Sequence, residues 1–239
     1  FTKKDVLKGN YSLKYLSKKL TITEMKKIYS LYALFNSNCF SVTELKSSCK
    51  DSKEEITNLI KIMHSKYLSK EILTKEFSLL EISESFDIST LLTYYVSIKD
   101  LKNIKNLDGS NRYTEQEIFT TVKKLCIELY SQEKANVLFS DLKETYSSTS
   151  FNKYFTILEL YIISGGSLKE LEIAKYYIGD IFKALINTTD DQISKMISWN
   201  TNLTSSSLNK RLIESKNNEE SIINSLITHY GLGKTIELI

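Results

Sequence analysis

The fold is decided by the stretch SVTELKSSCKDSKEEITNLIKIM, residues 41–63, because it contains two helix starts in close succession. Ser41 is followed three residues later by Glu44, and Ser52 is followed by Glu55. Each pair forms a capping box, which is the signature of a helix N-terminus. The second segment then carries apolar residues at the spacing of one helical face: Ile56, Leu59, Ile60 and Met63. The stretch therefore predicts a short helix followed by a longer helix with one buried face.

The segments on either side of this stretch complete a larger pattern. Apolar residues between Met25 and Phe35 recur at steps of three and four, which predicts a first helix. Residues 67–73 and 77–82 are short, apolar and in part β-branched or aromatic, which is typical of two strands joined by a turn. The predicted order is therefore helix, short helix, helix and a two-stranded hairpin.

A second copy of the helical order follows the first. Thr114 and Glu117 form another capping box, and the segment after it carries one apolar helical face: Ile118, Val122, Leu125, Cys126 and Leu129. We expect residues 136–139 to break this helix, residues 140–146 to form a short helix and residues 151–163 to form a third. Gly165 and Gly166 would end the third helix, and no pair of strands follows it.

The hydrophobic pattern of residues 16–73 resembles the winged helix-turn-helix superfamily, and the tandem order is similar to two-domain regulators of the MarR and Sar group. The positions that carry the resemblance are Ile22, Met25, Leu31, Val42, Leu45, Ile56, Ile60 and Leu68. The resemblance implies DNA binding only by analogy, because winged helices also serve as protein-binding modules. The segment 77–82 contains Glu81 and no arginine, which departs from the charged wing of those regulators.

The rest of the chain predicts further helices and one domain boundary. Helical patterns cover residues 168–185, 191–199 and 221–230, and Gly231 is the expected C-cap of the last. The polar run 99–111, which contains Asp108, Gly109 and Ser110, is the expected linker. We predict two domains: residues 1–107, a basic arm with a winged-helix-like domain, and residues 108–239, a second helix-turn-helix-like unit with a helical C-terminal part.

The composition favours a mainly α protein. The 239 residues contain no proline and seven glycines, so few residues interrupt helices. With 41% hydrophobic and 26% charged residues, the chain has the composition of a folded protein with a buried core. We therefore predict a mainly α fold of tandem winged-helix-like units followed by a helical C-terminal region.

The distribution of positive charge indicates where nucleic acid would bind. The net charge of +3 is small, but the lysines of the first twenty residues are opposed only by Asp5. Polar residues of the two predicted third helices would face a nucleic acid, although Glu54 and Glu55 repel phosphate at the start of the first. The expected contacts are Lys3, Lys4, Lys8, Lys14, Lys18, Lys19, Lys53, Thr57, Lys61, Asn152, Lys153 and Thr156.

No motif in the sequence predicts catalysis, a cofactor or a metal site. The three cysteines form no C-x-x-C pair, and the histidines His64 and His229 are far apart in the chain, so a zinc site is not expected. Residues 231–234, GLGK, lack the spacing of a phosphate-binding loop and read as a helix stop. We expect His64 to be a hydrogen-bonded surface histidine. The chain is therefore expected to be no enzyme.

These patterns favour a non-enzymatic nucleic-acid-binding protein, with a DNA-binding regulator or a replication or maintenance factor as the first expectation. The alternatives are a viral-type nucleoprotein that coats single-stranded RNA and a helical protein-protein interaction module. The expected partners are nucleic acid, with DNA favoured and RNA possible, and further copies of the chain. No apolar stretch is long enough for a membrane span, so we expect no membrane partner and an intracellular location, in the cytoplasm or with the nucleoid or nucleus.

Overall fold

The structure is a computed structural model that describes residues 6, 9, 11–129, 132–164, 167–186 and 219–238. This described part is mainly helical, as predicted. The chain divides into two compact units: unit 1 contains Phe1–Val96 and Ile104–Gly109, and unit 2 contains Ser97–Asn103 and Ser110–Ile239. The chain passes between the units at 96/97, 103/104 and 109/110. The boundary predicted after residue 107 falls inside the last piece of unit 1.

The helices described in unit 1 are α1 (Leu13–Leu16), α2 (Ile22–Lys26), α3 (Leu31–Asn36), α4 (Val42–Cys49), α5 (Lys53–Tyr67), α6 (Lys70–Glu76), α7 (Leu79–Ser85) and α8 (Ile88–Tyr94). Those described in unit 2 are α9 (Ile98–Asn103), α10 (Glu115–Lys124), α11 (Gln132–Thr145), α12 (Ser148–Tyr154), α13 (Ile157–Ile163), α14 (Leu168–Ile173), α15 (Ile178–Ile186), α16 (Glu219–Tyr230) and α17 (Leu232–Leu238). A π-helical turn, Leu125–Leu129, continues α10. Most of these helices are two turns or shorter.

One local rule explains why so many short helices form. A serine, threonine or aspartate stands at the N-cap, and a buried apolar residue follows four positions later, where the first turn faces the core. The pairs are Thr21 with Met25, Ser30 with Leu34, Ser41 with Leu45, Ser78 with Ile82, Asp87 with Leu91, Thr114 with Ile118, Thr156 with Leu160 and Ser167 with Leu171. Burying each such side chain contributes about 1.5–3 kcal/mol, which offsets the cost of starting a helix.

The predicted wing strands are wrong, because both segments are helical. Residues 70–76 form α6 and residues 79–85 form α7. Ser78 and Glu81 make a full capping box, in which the Ser78 side chain accepts from the Glu81 N–H and the Glu81 side chain accepts from the Ser78 N–H. This cap fixes a helix start that outweighs the apolar, β-like composition of the segment. The winged-helix resemblance therefore lacks its wing.

Three other boundaries differ from the prediction, each because a cap or its absence decides the helix length. The single helix predicted over 25–35 is divided into α2 and α3 by the N-cap Ser30. The break predicted at 136–139 lies inside the continuous helix α11. The third helix predicted over 151–163 is divided into α12 and α13 at Thr156, which caps α13.

In the C-terminal part, the helix predicted over 168–185 is divided into α14 and α15, and the linker predicted over 99–111 begins inside α9. The helix predicted over 191–199 lies outside the described residues. The short helix α4 with its capping box and the long helix α5 with its N-cap Ser52 are confirmed. At α5 the Glu55 carboxylate pairs with Lys26 instead of closing the predicted box. Gly231 has a φ of +84°, so the predicted C-cap of the helix ending at Tyr230 is confirmed.

The two units contain corresponding ion pairs. In unit 1, Lys46 of α4 lies 3.0 Å from Glu81 of α7. In unit 2, Lys123 of α10 lies 3.1 Å from Glu159 of α13. Each glutamate is also the third residue of its helix and closes a capping box. The same side chain therefore fixes a helix start and joins two helices in both units.

The helices between these ion pairs match as well. Each unit has a long helix, α5 or α11, followed by two helices of seven residues. A buried phenylalanine, Phe77 or Phe155, ends the first of these, and its N–H donates to the carbonyl four residues earlier at 2.9 Å. Other buried positions that correspond are Leu45 and Val122, Cys49 and Cys126, Leu73 and Phe151, Ile82 and Leu160, and Leu91 and Leu171. The two units thus share the order of these three helices, one ion pair and several buried positions.

Candidate nucleic-acid interface

The basic N-terminal segment is described only in part. Lys3, Lys4 and Lys8 lie outside the described residues. The other three predicted contacts, Lys14, Lys18 and Lys19, are exposed on α1 or directly after it. Helix α1 starts where Ser12 accepts a hydrogen bond from the Tyr15 N–H at 3.2 Å. The cap therefore holds the first turn that carries Lys14.

Two tyrosines that the sequence reasoning did not single out lie among these lysines. The rings of Tyr11 and Tyr15 are stacked, with centroids 5.4 Å apart and an interplanar angle of 15°. Both remain in contact with solvent, with exposed fractions of 43% and 50%. The spacing of four residues across a helix start is the sequence signal that would have found the pair. We call Tyr11, Tyr15 and the three lysines around them, Lys14, Lys18 and Lys19, the N-terminal platform.

The predicted recognition helix, α5, presents little free positive charge at its start. Lys53 pairs with Glu84 of α7, with Nζ and Oε1 2.7 Å apart. Thr57, one turn later, is half-buried. Of the three predicted contacts on α5, Lys61 is exposed and makes no ion pair among the described residues. Glu54 is exposed in the first turn, where its carboxylate repels phosphate.

The predicted contacts around α12 and α13 have mixed roles. Asn152 donates its side-chain amide to the Lys175 carbonyl at 3.3 Å, and Thr156 caps α13. Both therefore support the helix framework. Lys153 is exposed, and its Nζ lies 4.7 Å from the centroid of the Tyr154 ring. A hydrogen bond with Tyr154 raises the pKa of Lys153, so this side chain stays charged at neutral pH.

Unit 2 also contains a cleft of ≈280 Å³ beside the C-terminal end of α11. Its lining includes Lys143, Tyr146, Ser148, Phe151, Glu170 and Ala174. The Lys143 Nζ lies 2.8 Å from the Glu170 Oε1, which joins α11 to α14 across the cleft. We call this space the unit 2 cleft.

Tyr146 forms one wall of the unit 2 cleft and is held from two sides. Its ring contacts Phe119 edge to face at 5.1 Å, and the Lys102 Nζ lies 4.5 Å from its centroid. Lys102 also donates to the Thr145 carbonyl at 3.0 Å. Burial raises the pKa of Tyr146 to about 12, so the phenol stays protonated and can donate a hydrogen bond.

Unit 1 contains a cluster of aromatic rings between α5 and the end of α8. His64 of α5 bonds through Nδ1 to the Tyr95 hydroxyl, and its ring meets that of Tyr94 edge to face at 5.4 Å. Phe86 stacks on Tyr95 at 5.5 Å. Burial lowers the pKa of His64 and raises that of Tyr95 to about 12. His64 is therefore hydrogen-bonded, as predicted, and half-buried within these four residues, the unit 1 aromatic cluster.

Among the described residues, no group of three or more His, Cys, Asp or Glu side chains is arranged to hold a metal ion. No helix in the described ranges has the length and apolar character needed to cross a membrane. Comparison of the chain with protein-family models, with curated proteins and with solved structures gives no match.

Proposed function

We propose that this chain is a non-catalytic nucleic-acid-binding protein and that its N-terminal platform holds a single strand. The observation that carries the proposal is the stacked, exposed pair Tyr11 and Tyr15 beside three exposed lysines. Every base has a flat face that stacks on an aromatic ring, and lysines neutralise the phosphates of the same strand. Base stacking on one such ring contributes roughly 1–3 kcal/mol.

The surroundings of α5 favour a single strand over duplex DNA. A duplex reader needs polar side chains at the start of its recognition helix and, in a winged helix, a hairpin that reaches the backbone. In unit 1 the start of α5 carries Lys53 already paired with Glu84, and helices α6 and α7 occupy the place of the hairpin. The helix-turn-helix order of unit 1 and the predicted contacts Lys61 and Lys153 remain predictions for duplex binding.

The test is a binding titration of the full chain against single-stranded RNA, single-stranded DNA and duplex DNA over a series of salt concentrations. We expect the single strands to bind more tightly than the duplex and to lose affinity steeply as salt rises, since each neutralised phosphate contributes about −0.7 to the logarithmic slope. If no nucleic acid binds near physiological salt, the proposal is wrong, and protein binding becomes the favoured function.

A pair of variants assigns the binding to the platform. Replacing Tyr11 and Tyr15 together by alanine removes both stacking surfaces, and we expect a loss in affinity of about tenfold or more. The control is Tyr32→Ala, which removes an even more exposed ring, 60% exposed, from α3. Equal effects of the platform and control variants would show that the platform is not the binding surface.

A further inference from the structure

The unit 2 cleft lies between the end of α11, helix α12 and the end of α14. In unit 1, the end of α8 places Tyr94 and Tyr95 against His64 of the long helix α5. In unit 2, helix α14 ends at Ile173, and both Ile173 and the C-cap residue Ala174 line the cleft beside Lys143 of α11.

The polar groups of the cleft form a specific donor and acceptor pattern. The Glu170 carboxylate is an acceptor with two oxygens, and the Lys143 ammonium 2.8 Å away is a donor. The pair is only partly exposed, at 19% for the Glu170 side chain and 40% for the Lys143 side chain. Phe151 supplies an apolar wall, and Tyr146 supplies an aromatic wall with a protonated hydroxyl. A ligand that fits must be flat, small and polar along one edge.

The size of the cleft limits the ligand further. A volume of ≈280 Å³ lies just below the range of about 300–1,000 Å³ that holds whole drug-sized molecules, so a single heterocyclic base fits better than a larger group. Among the bases, guanine presents two adjacent N–H donors, N1–H and the N2 amino group, beside the acceptor O6. The two donors match a carboxylate, and O6 matches an ammonium.

We propose that the unit 2 cleft binds one unpaired guanine of a single-stranded nucleic acid, with Glu170 accepting from N1–H and N2–H and Lys143 donating to O6. This inference rests on the proposed function, nucleic-acid binding, and concerns the residues of unit 2 alone. Adenine and cytosine each offer one donor beside an acceptor and so make one hydrogen bond fewer to the carboxylate. Lys102, exposed beside Tyr146, provides a cation for the adjoining phosphate.

The experiment compares free nucleotides and short strands with the full chain. GMP, IMP and AMP are titrated by fluorescence or calorimetry, because IMP keeps N1–H and O6 but lacks the amino group. We expect GMP to bind about tenfold more tightly than IMP, and AMP to bind more weakly still. A short oligoadenylate with one internal guanosine should likewise bind more tightly than one without it.

Two matched variants locate the preference. Glu170→Gln keeps the size of the side chain and removes the charge, so we expect GMP binding to fall to the level of IMP. The control, Glu84→Gln, makes the same change at an ion-paired carboxylate of similar exposure in unit 1, 21% against 19%, and should leave GMP binding unchanged. A second variant, Ala174→Leu, blocks the cleft with a larger side chain, so GMP binding should be lost. Its thermal unfolding midpoint shows whether the variant folds.

The outcomes separate the two proposals. If Glu170→Gln leaves the order of GMP, IMP and AMP unchanged, or if GMP and AMP bind equally, the guanine site is wrong. If the affinity for free GMP depends on Glu170 but an internal guanosine does not strengthen strand binding, then the guanine does not belong to a strand, and the cleft binds a free nucleotide. If the platform variant leaves strand binding intact while the Glu170 effect on GMP persists, the proposed function of the platform fails.

Discussion

The two units differ at the end of the helix that follows their shared features, α8 in unit 1 and α14 in unit 2. Unit 1 fills the space between its long helix and the end of α8 with the rings of His64, Tyr94 and Tyr95, whereas unit 2 leaves a cleft beside Lys143 and Ala174. The caps, the buried residue four positions later and the ion pairs to the third helix residue are the same in both. The comparison teaches that the two units share their helix starts and differ at the ends of α8 and α14.

The largest expected effect comes from emptying the unit 1 aromatic cluster. Tyr95→Ala removes a fully buried ring and the partner of His64, so we expect a loss of about 3–5 kcal/mol in the free energy of unfolding. Urea denaturation followed by circular dichroism measures it. The neighbouring Tyr94 is exposed, and Tyr94→Ala should cost well under about 2 kcal/mol. Similar losses for the two variants would mean that the cluster is not a packed core.

A smaller effect tests whether the corresponding ion pairs are equivalent. Lys46→Met removes the pair with Glu81, a hydrogen bond to the Glu76 carbonyl at 2.8 Å and a contact with the Phe77 ring. We expect a loss of about 1 kcal/mol from that variant and about 0.5 kcal/mol from Lys123→Met.

Denaturation in low and high salt supplies the control for the ion pairs, because a half-exposed ion pair weakens as salt rises. Equal stability of wild type and both variants at low salt would show that the shared lysines do not join the helices.

The smallest expected effect is on how stability depends on pH, which should change with the unit 1 aromatic cluster and not with the unit 2 cleft. Burial lowers the pKa of His64 from its ordinary value of 6.5, so the unfolded chain takes up this proton more readily than the folded chain. The contribution of neutral His64 to the free energy of unfolding is fully present above pH 6.5 and is lost as the pH falls through the lower pKa that His64 has in the folded chain. We expect stability to decline as the pH falls below about 6.5, and His64→Gln to reduce that decline.

The matched substitution at the open site is Lys143→Gln, which should leave the dependence on pH in this range unchanged. Identical pH profiles for wild type and His64→Gln would contradict the assignment of the decline to the unit 1 aromatic cluster.

The parts of the fold that the sequence predicts are the parts with local causes. The caps at Ser41, Ser52 and Thr114 were readable because the cap and its partner are three residues apart, and all three start helices. The wing prediction is wrong because the apolar residues Ile72, Leu73 and Phe77, which are typical of a strand, occur here in and directly after a seven-residue helix that buries only Leu73. The Ser78 and Glu81 capping box was the signal against it.

The candidate sites also differ in whether the local sequence reveals them. The lysines around α1 follow from the charge distribution alone, and the Tyr11 and Tyr15 pair follows from a spacing of four residues. The unit 2 cleft does not follow from either, because Lys143 and Glu170 are brought together only by the packing of α11 on α14. The role of Lys53 was also hidden, since its partner Glu84 lies on another helix.

The shortness of the helices has a consequence for how the protein opens. A helix of two turns has no stability in isolation, because starting it fixes several residues for very few hydrogen bonds. Helices α6, α7 and α8, of seven residues each, are therefore folded only while they are packed together. Fraying of one removes the support of the next, so we expect the amide protons of these three helices to exchange together rather than helix by helix.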